Sequence, residues 1–224
     1  MHVILTPDIL LAAYSQGLFP MAQGADNPEV HWYCPEMRGQ LSIPDMHIPR
    51  RLRKTVRQMK IGGKPYEIRI NTDFEGVMKA CAVVTDNRSE TWINAEILTA
   101  YCALHAKGYA HSVECWQDGK MVGGLYGITL GGAFFGESMF STTRDASKVA
   151  LVHLVARLSH AGYKILDTQF TNNHLEQFGV YELSHKNYIE KLTPILSLSC
   201  VFSFTDPTEQ ALLTQYLTSW QKSQ

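Results

Sequence analysis

The apolar positions of this chain change period several times, and each change marks an element. At the start, Thr6 can cap a helix, Pro7 suits its first turn, Asp8 favours its positive end and Gly17 stops it. A loop rich in Pro, Gly and Asn follows over residues 19–28, and His31-Trp32-Tyr33-Cys34-Pro35 reads as a short strand. Residues 1–37 are therefore assigned to a small N-terminal subdomain and 38–224 to the main domain. The main domain should open with a helix over 50–59, a turn at Gly62-Gly63, an alternating strand over 66–71 and a helix over 73–82 capped by Asp73. Residues 94–107 place Ile97, Leu98, Tyr101 and Leu104 on one helical face, with Asn94 as cap and Gly108 as stop.

The period then falls to two. Strands over 112–117, 121–129 and 133–139 are joined by the turn dipeptides Asp118-Gly119 and Gly131-Gly132, which predicts an antiparallel meander. A long helix follows to His160, opened by Asp145 or Ser147, with Leu151, Val152, Leu154, Val155 and Leu158 as its core stripe. A strand over 164–169 and a short helix over 174–178 come next. The C-terminal helix should open at Asp206-Pro207-Thr208-Glu209, an acidic cap with Glu209 in the capping-box position. This order of elements suits an α+β domain.

Composition narrows the class. With 45% hydrophobic and 18% charged residues, the chain is an ordinary globular protein. No stretch approaches the ~18 apolar residues of a membrane span. The first residues lack a basic region and read as the entry to a helix, not a signal peptide. The five cysteines are odd in number, scattered and without a C-x-x-C pair, so reduced thiols are expected. Nine dispersed histidines give no ligand spacing, so no metal is invoked. No phosphate loop or dinucleotide fingerprint occurs, so no cofactor is inferred.

Net charge is −1, yet the distribution is uneven. Between Met46 and Tyr66 there is no acid, while Arg50, Arg51, Arg53, Lys54, Arg57, Lys60 and Lys64 supply seven of the 20 Lys and Arg residues. That is enough for a phosphate-binding face, and it is also what a solvated helix face looks like.

Candidate chemistry concentrates between Trp116 and Gln169. Glycines at 123, 124, 127, 131, 132 and 136 alternate with bulky apolar residues, which suggests a pocket floored by backbone. Glu137 stands in that apolar run. A buried acid is costly unless paired, so it either faces outward or meets a cation. Asp167 and Gln169 share a strand face by alternation, and a carboxylate there can hold the amide in one orientation. A polar strand end bonded to nearby backbone is the plainer reading of the same residues.

Several blocks carry a resemblance. They are Gly17-Leu18-Phe19-Pro20, Thr91-Trp92-Ile93, Gly108-Tyr109-Ala110-His111-Ser112-Val113-Glu114, Val122-Gly123-Gly124-Leu125-Tyr126-Gly127, Phe135-Gly136-Glu137-Ser138-Met139-Phe140-Ser141, Ala146-Ser147-Lys148 and Leu166-Asp167-Thr168-Gln169. In this order they resemble the bacterial leucyl/phenylalanyl-tRNA–protein transferases. The resemblance implies an acetyltransferase-like (GNAT-like) mixed-sheet main domain. It also implies a cytoplasmic aminoacyltransferase that moves Leu, Phe or Met from aminoacyl-tRNA to the N-terminal Arg or Lys of proteins, marking them for the N-degron pathway.

It further implies Asp167 and Gln169 as catalytic residues. Leu125, Phe134, Met139 and Leu166 would line the aminoacyl side-chain pocket, with Glu137 facing the substrate and Trp92 near the terminal adenosine. Gln169 is non-basic and can only orient the attacking amine, whose proton would leave through water or the substrate's ribose hydroxyl. The basic run at Arg50, Arg51, Arg53, Lys54 and Arg57 would meet tRNA.

The chain departs from the family pattern in three places. Met21 and Thr142 stand where Trp and Arg are usual, and Ser184-His185 where Pro-Arg is common. The N-terminal subdomain is expected to be minimal. Two other readings compete. An acetyl-CoA-dependent N-acyltransferase would want a glycine-rich turn into the long helix, where Thr143-Arg144-Asp145-Ala146-Ser147 stands instead. An inert tRNA-binding module would need the basic helix and not the acid–amide set.

Overall fold

The structure is a computed structural model that describes residues 5–84 and 90–222. The N-terminal part comprises α1 (Pro7–Ser15), β1 (Phe19–Ala22) and β2 (Val30–Tyr33), the two strands forming an antiparallel hairpin. Thr6 caps α1, its hydroxyl accepting from the Ile9 N–H at 3.3 Å. Next come β3 (Met37–Leu41), α2 (Arg50–Gln58), the small ribbon β4 (Lys60–Ile61) and β5 (Lys64–Pro65), then β6 (Glu67–Ile70), α3 (Phe74–Ala82) and α4 (Ala95–Ala106). Asp73 and Asn94 cap α3 and α4 through their side chains. The meander is β7 (Ala110–Gln117), β8 (Lys120–Leu130) and β9 (Ala133–Ser141). The chain ends with α5 (Ala146–His160), β10 (Ile165–Gln169), α6 (Asn173–Glu176), β11 (Tyr181–Ser184), α7 (His185–Ile195) and α8 (Glu209–Lys222).

Seven strands form one mixed sheet in the order β11-β3-β10-β9-β8-β7-β6. Only the β9–β10 pair is parallel, as expected for strands joined through α5. Neighbouring residues of a strand point to opposite faces. Accordingly Leu125, Phe134 and Leu166 enter one core, with α2, α5 and α8, while Tyr126, Phe135 and Ile165 enter the other, with α1, α3, α4 and α7. α5 is covered on nearly every side, so its buried set reaches past the apolar stripe to His153 and Arg157. The Arg157 guanidinium meets Glu209 and donates to the Phe202 carbonyl at 2.7 Å, which ties the segment before α8 to α5.

Several elements were not expected from the pattern: β3, β11, α7, the small β4–β5 ribbon, and β1, whose Phe19–Ala22 falls in the stretch read as a loop and becomes a strand by pairing with β2. β3 reads Met37-Arg38-Gly39-Gln40-Leu41, and its polar residues hide a strand that is buried in the sheet. The C-terminal helix also differs at its start. Thr208 caps it, accepting from the Ala211 N–H at 3.3 Å, and Glu209 is its first residue, spent on Arg157 instead of a capping box. No helix among the described residues is long and apolar enough to cross a membrane.

Candidate active site

β9 and β10 run side by side only as far as Phe135 and Asp167. Beyond that point β10 keeps its pairing with β3 through a register shift, and β9 keeps its pairing with β8 through another. The two strands therefore splay apart. At its end β10 places Gln169 in the left-handed backbone region, with φ at 60°. Gly136 lines this opening, where a Cβ would stand 3.3 Å from the Asp167 carbonyl oxygen.

The opening is bridged by side chains. Gln169 Nε2 donates to Glu137 Oε1 at 2.8 Å. The same oxygen accepts from the Tyr14 hydroxyl at 2.7 Å, and Oε2 accepts from the Tyr101 hydroxyl at 3.2 Å. The two phenolic oxygens are 2.5 Å apart. Burial is the main force that raises the Glu137 carboxyl, to about 7; the two phenols oppose it and the Asp167 charge adds to it. Burial, then Glu137, holds both phenols well above their ordinary range. A carboxylate facing Gln169 requires the NH₂ end of the amide, so Oε1 is turned away from it. Among the described residues nothing donates to that Oε1.

Asp167 is fully buried behind this pair. Arg38 Nε donates to it at 3.0 Å and a terminal nitrogen of Arg38 lies 2.8 Å from Oδ2. The Tyr188 hydroxyl donates to Oδ2 at 2.6 Å, and the Gln169 backbone N–H donates to Oδ1 at 2.8 Å. Burial alone would lower the Arg38 guanidinium, but Asp167 more than offsets it and raises it overall. Arg38 also donates to the Gly17 carbonyl at 2.8 Å and lies over the Phe19 and Tyr188 rings. Asp167 thus grips the backbone of Gln169 and not its amide. The acid that orients the amide is Glu137, which corrects the expectation drawn from simple alternation. The broken register is the cause.

The remaining candidates fall into separate places. Leu125 stands opposite Met139, and Leu166 opposite Phe134, all on the sheet face under α5. Leu125, Phe134 and Leu166 are packed core, while Met139 is half-buried. Trp92 lies with Glu137's neighbours on the other face, half-buried, its carbonyl accepting from the Ala22 N–H at 3.1 Å. The glycine run is mostly packing and not a ligand floor. A Cβ at Gly127 would stand 2.4 Å from the Phe134 ring, and one at Gly123 2.6 Å from the Ala146 Cβ. Two clefts, of about 240 Å³ between α2 and α8 and about 580 Å³ beside Phe204 and Arg157, lie away from the Glu137–Gln169 pair.

On α2, Leu52 and Val56 face the core, and Arg50, Arg51, Lys54 and Arg57 are exposed. Arg53 is half-buried instead, its guanidinium 5.1 Å from the Trp220 ring centre. Of the other cations in this window, Lys64 pairs with Asp118 at 2.7 Å.

A family profile described as leucyl/phenylalanyl-tRNA protein transferase matches residues 40–193, and one for that family's N-terminal domain matches residues 4–36. The chain belongs to the leucyl/phenylalanyl-tRNA–protein transferase family. Among its relatives, a leucyl/phenylalanyl-tRNA–protein transferase of Paramagnetospirillum magneticum is 51% identical over 88% of this chain and 92% of its own. One of Maricaulis maris is 53% identical over 87% of this chain and 88% of its own.

Four residues of this buried network were missed in the sequence: Arg38, Tyr14, Tyr101 and Tyr188. A signal existed for two of them. Tyr14 and Tyr101 sit on the buried faces of α1 and α4, and a buried phenol needs a polar partner that neither helix supplies. Arg38 and Tyr188 gave none, because their partner Asp167 is 129 and 21 residues away. Of the family departures, Ser184 has a local role: it caps α7, accepting from the Asn187 N–H at 3.4 Å. Thr142 has one as well, its hydroxyl donating to the Val122 carbonyl at 3.1 Å, and Met21 packs half-buried against the core that holds Tyr14 and Tyr101.

Proposed function

We propose that this chain moves Leu, Phe or Met from aminoacyl-tRNA to an N-terminal Arg or Lys of acceptor proteins in the cytoplasm, as a step of the N-degron pathway. Family membership and relatives named for that reaction make the chain an aminoacyltransferase. The acceptor choice, the compartment and the site residues are our reading. The observation that carries it at residue level is the Gln169–Glu137 bond across the β9–β10 splay.

An aminoacyl ester is already activated, so the work left is to position an amine and stabilise an oxyanion. Gln169 Oε1, turned from Glu137 and unclaimed, suits the N–H of the attacking amine. Asp167, locked by Arg38 and Tyr188, holds the Gln169 backbone, and so acts as a positioning residue. Past Phe135 the β10-facing edge of β9 has no strand partner among the described residues, and its peptide N–H groups are candidates for the oxyanion. The splay also offers a route through the sheet. The ester would stay on the Glu137 side while an apolar aminoacyl side chain reaches Met139, with Leu125, Phe134 and Leu166 behind it. That needs Leu125, Phe134 and Leu166 to shift, while the half-buried, unbranched Met139 repacks most readily.

Trp92 is read as the stacking surface for the terminal adenine, and the exposed cations of α2 as contacts to tRNA phosphates. The separate β1–β2 hairpin supports 1–37 as a small subdomain, and the splayed parallel pair supports an acetyltransferase-like main domain. Acidic Glu137 beside the amine position favours an acceptor with a second positive charge. The test is transfer of labelled leucine from leucyl-tRNA to peptides beginning with Arg, Lys, Ala or Glu. Arg and Lys peptides should be labelled well and the other two poorly. Equal labelling of all four would remove the acceptor role from Glu137, and labelling of none would overturn the whole reading.

A further inference from the structure

The start of α5 gathers cations that the basic helix does not account for. Asp145 precedes α5 but does not cap it through its side chain. Its carboxylate instead faces Arg51 at 3.4 Å, Lys148 at 3.1 Å and Arg144 at 3.9 Å. One acid meets three cations, which leaves two positive charges over. The Arg51 and Arg144 side chains stay 63% and 75% exposed, so they remain open to a ligand.

The cluster joins two regions already described. Arg51 belongs to α2. At the other end, Ser141 closes β9 and its hydroxyl accepts from the Ser147 N–H at 3.1 Å, four residues along the strand from Glu137. Burial, and after it the Lys148 charge, hold His174 of α6 below its ordinary range, so Lys148 also lies beside the segment that follows Gln169. Four strand residues span ~13 Å, which is about the rise of four stacked nucleotides at ~3.4 Å each.

We propose that Arg144 and Lys148, together with Arg51, hold the backbone phosphates of the single-stranded 3′ end of the aminoacyl-tRNA on its way from the α2 face to the splay. This rests on the aminoacyl-transfer reading above. Asp145 keeps the three cations together, since they would otherwise repel one another. The helix α2 meets the body of the tRNA, and the cluster meets its end. The end then needs no base reading, which fits a phosphate site built from Arg and Lys.

Three leucyl esters separate these roles: full leucyl-tRNA, the leucyl ester of the trinucleotide CCA, and the leucyl ester of adenosine, which has no phosphate. For the Arg144→Gln/Lys148→Gln variant, kcat/KM should fall by roughly tenfold or more on tRNA and on CCA. The fall on the adenosine ester should be much smaller. A variant with reversed charges at Arg50 and Lys54 should lose far more on tRNA than on CCA. The single variant Arg144→Gln alters only an exposed side chain, and should show the same order of effects at smaller size. Equal losses on CCA and on adenosine, or no loss on CCA, would overturn the phosphate role. If the wild-type protein used none of the three esters, the transfer reading itself would fall, and this inference with it.

Discussion

Replacing Glu137 by Gln should change how the stability of this protein depends on pH. The carboxyl is buried among two phenols and an amide, and it is raised from its ordinary 4.5 to about 7. The sign follows from proton binding. Below about pH 4.5 the group is protonated in both the folded and the unfolded chain, and it costs nothing. Between the two values the unfolded chain releases its proton while the folded one keeps it, so stability falls as pH rises. Above about 7 both forms are ionised and the loss is complete. With an ordinary value of 4.5 and a folded value of about 7, at about 1.4 kcal/mol per pH unit, the loss comes to about 3–4 kcal/mol. Glutamine keeps the shape and cannot ionise, so its stability should lack this fall. It also gives up one acceptor to the phenols, a constant cost of about 1–2 kcal/mol at every pH. Urea unfolding of both proteins at pH 4.5, 5.5, 6.5 and 7.5 measures the difference. The variant should be the less stable at the lowest pH and should match or pass the wild type at the highest. Curves that run parallel across this range would show that Glu137 ionises at its ordinary value, and the account of its environment would be wrong.

Arg38→Met should destabilise the fold by about 3–5 kcal/mol, because it leaves Asp167 buried without its cation; adding Asp167→Asn should recover part of that in urea unfolding, and a double variant no better than the single would argue against the pair. Reversing Arg50 and Lys54 to Glu should weaken binding of all aminoacyl-tRNAs alike and lower the salt slope by about 2. Arg53 is the wrong choice for that experiment, since it lies over Trp220 and its loss would disturb α8 as well. A change confined to one tRNA species would mean that α2 reads bases.

The sequence was most legible where a signal is local. Asn94 and Asp73 cap the helices that they appeared to start, and Asp118-Gly119 turns the first hairpin of the meander. These features depend on neighbours within a few residues. The site was legible only as a set of types. An acid in an apolar run and an acid–amide pair at a strand end announce a buried polar network, and such a network is present. Its wiring was not legible, for two reasons. Alternation assumes an unbroken ladder, and β10 breaks its register between Asp167 and Gln169, so the amide turns to a different carboxylate. The second reason is distance along the chain. Asp167 is neutralised by an arginine from a strand whose own composition argues against a strand, and Glu137 accepts hydrogen bonds from phenols on two helices that look complete without it. The same residues explain each other once placed together. Arg38 and Gln40 can be buried in β3 because the sheet sets that strand beside β10, where Arg38 meets Asp167. Arg38, which spoils the strand pattern, is thus the residue that fixes Asp167 and, through it, the Gln169 backbone where an attacking amine could use its amide.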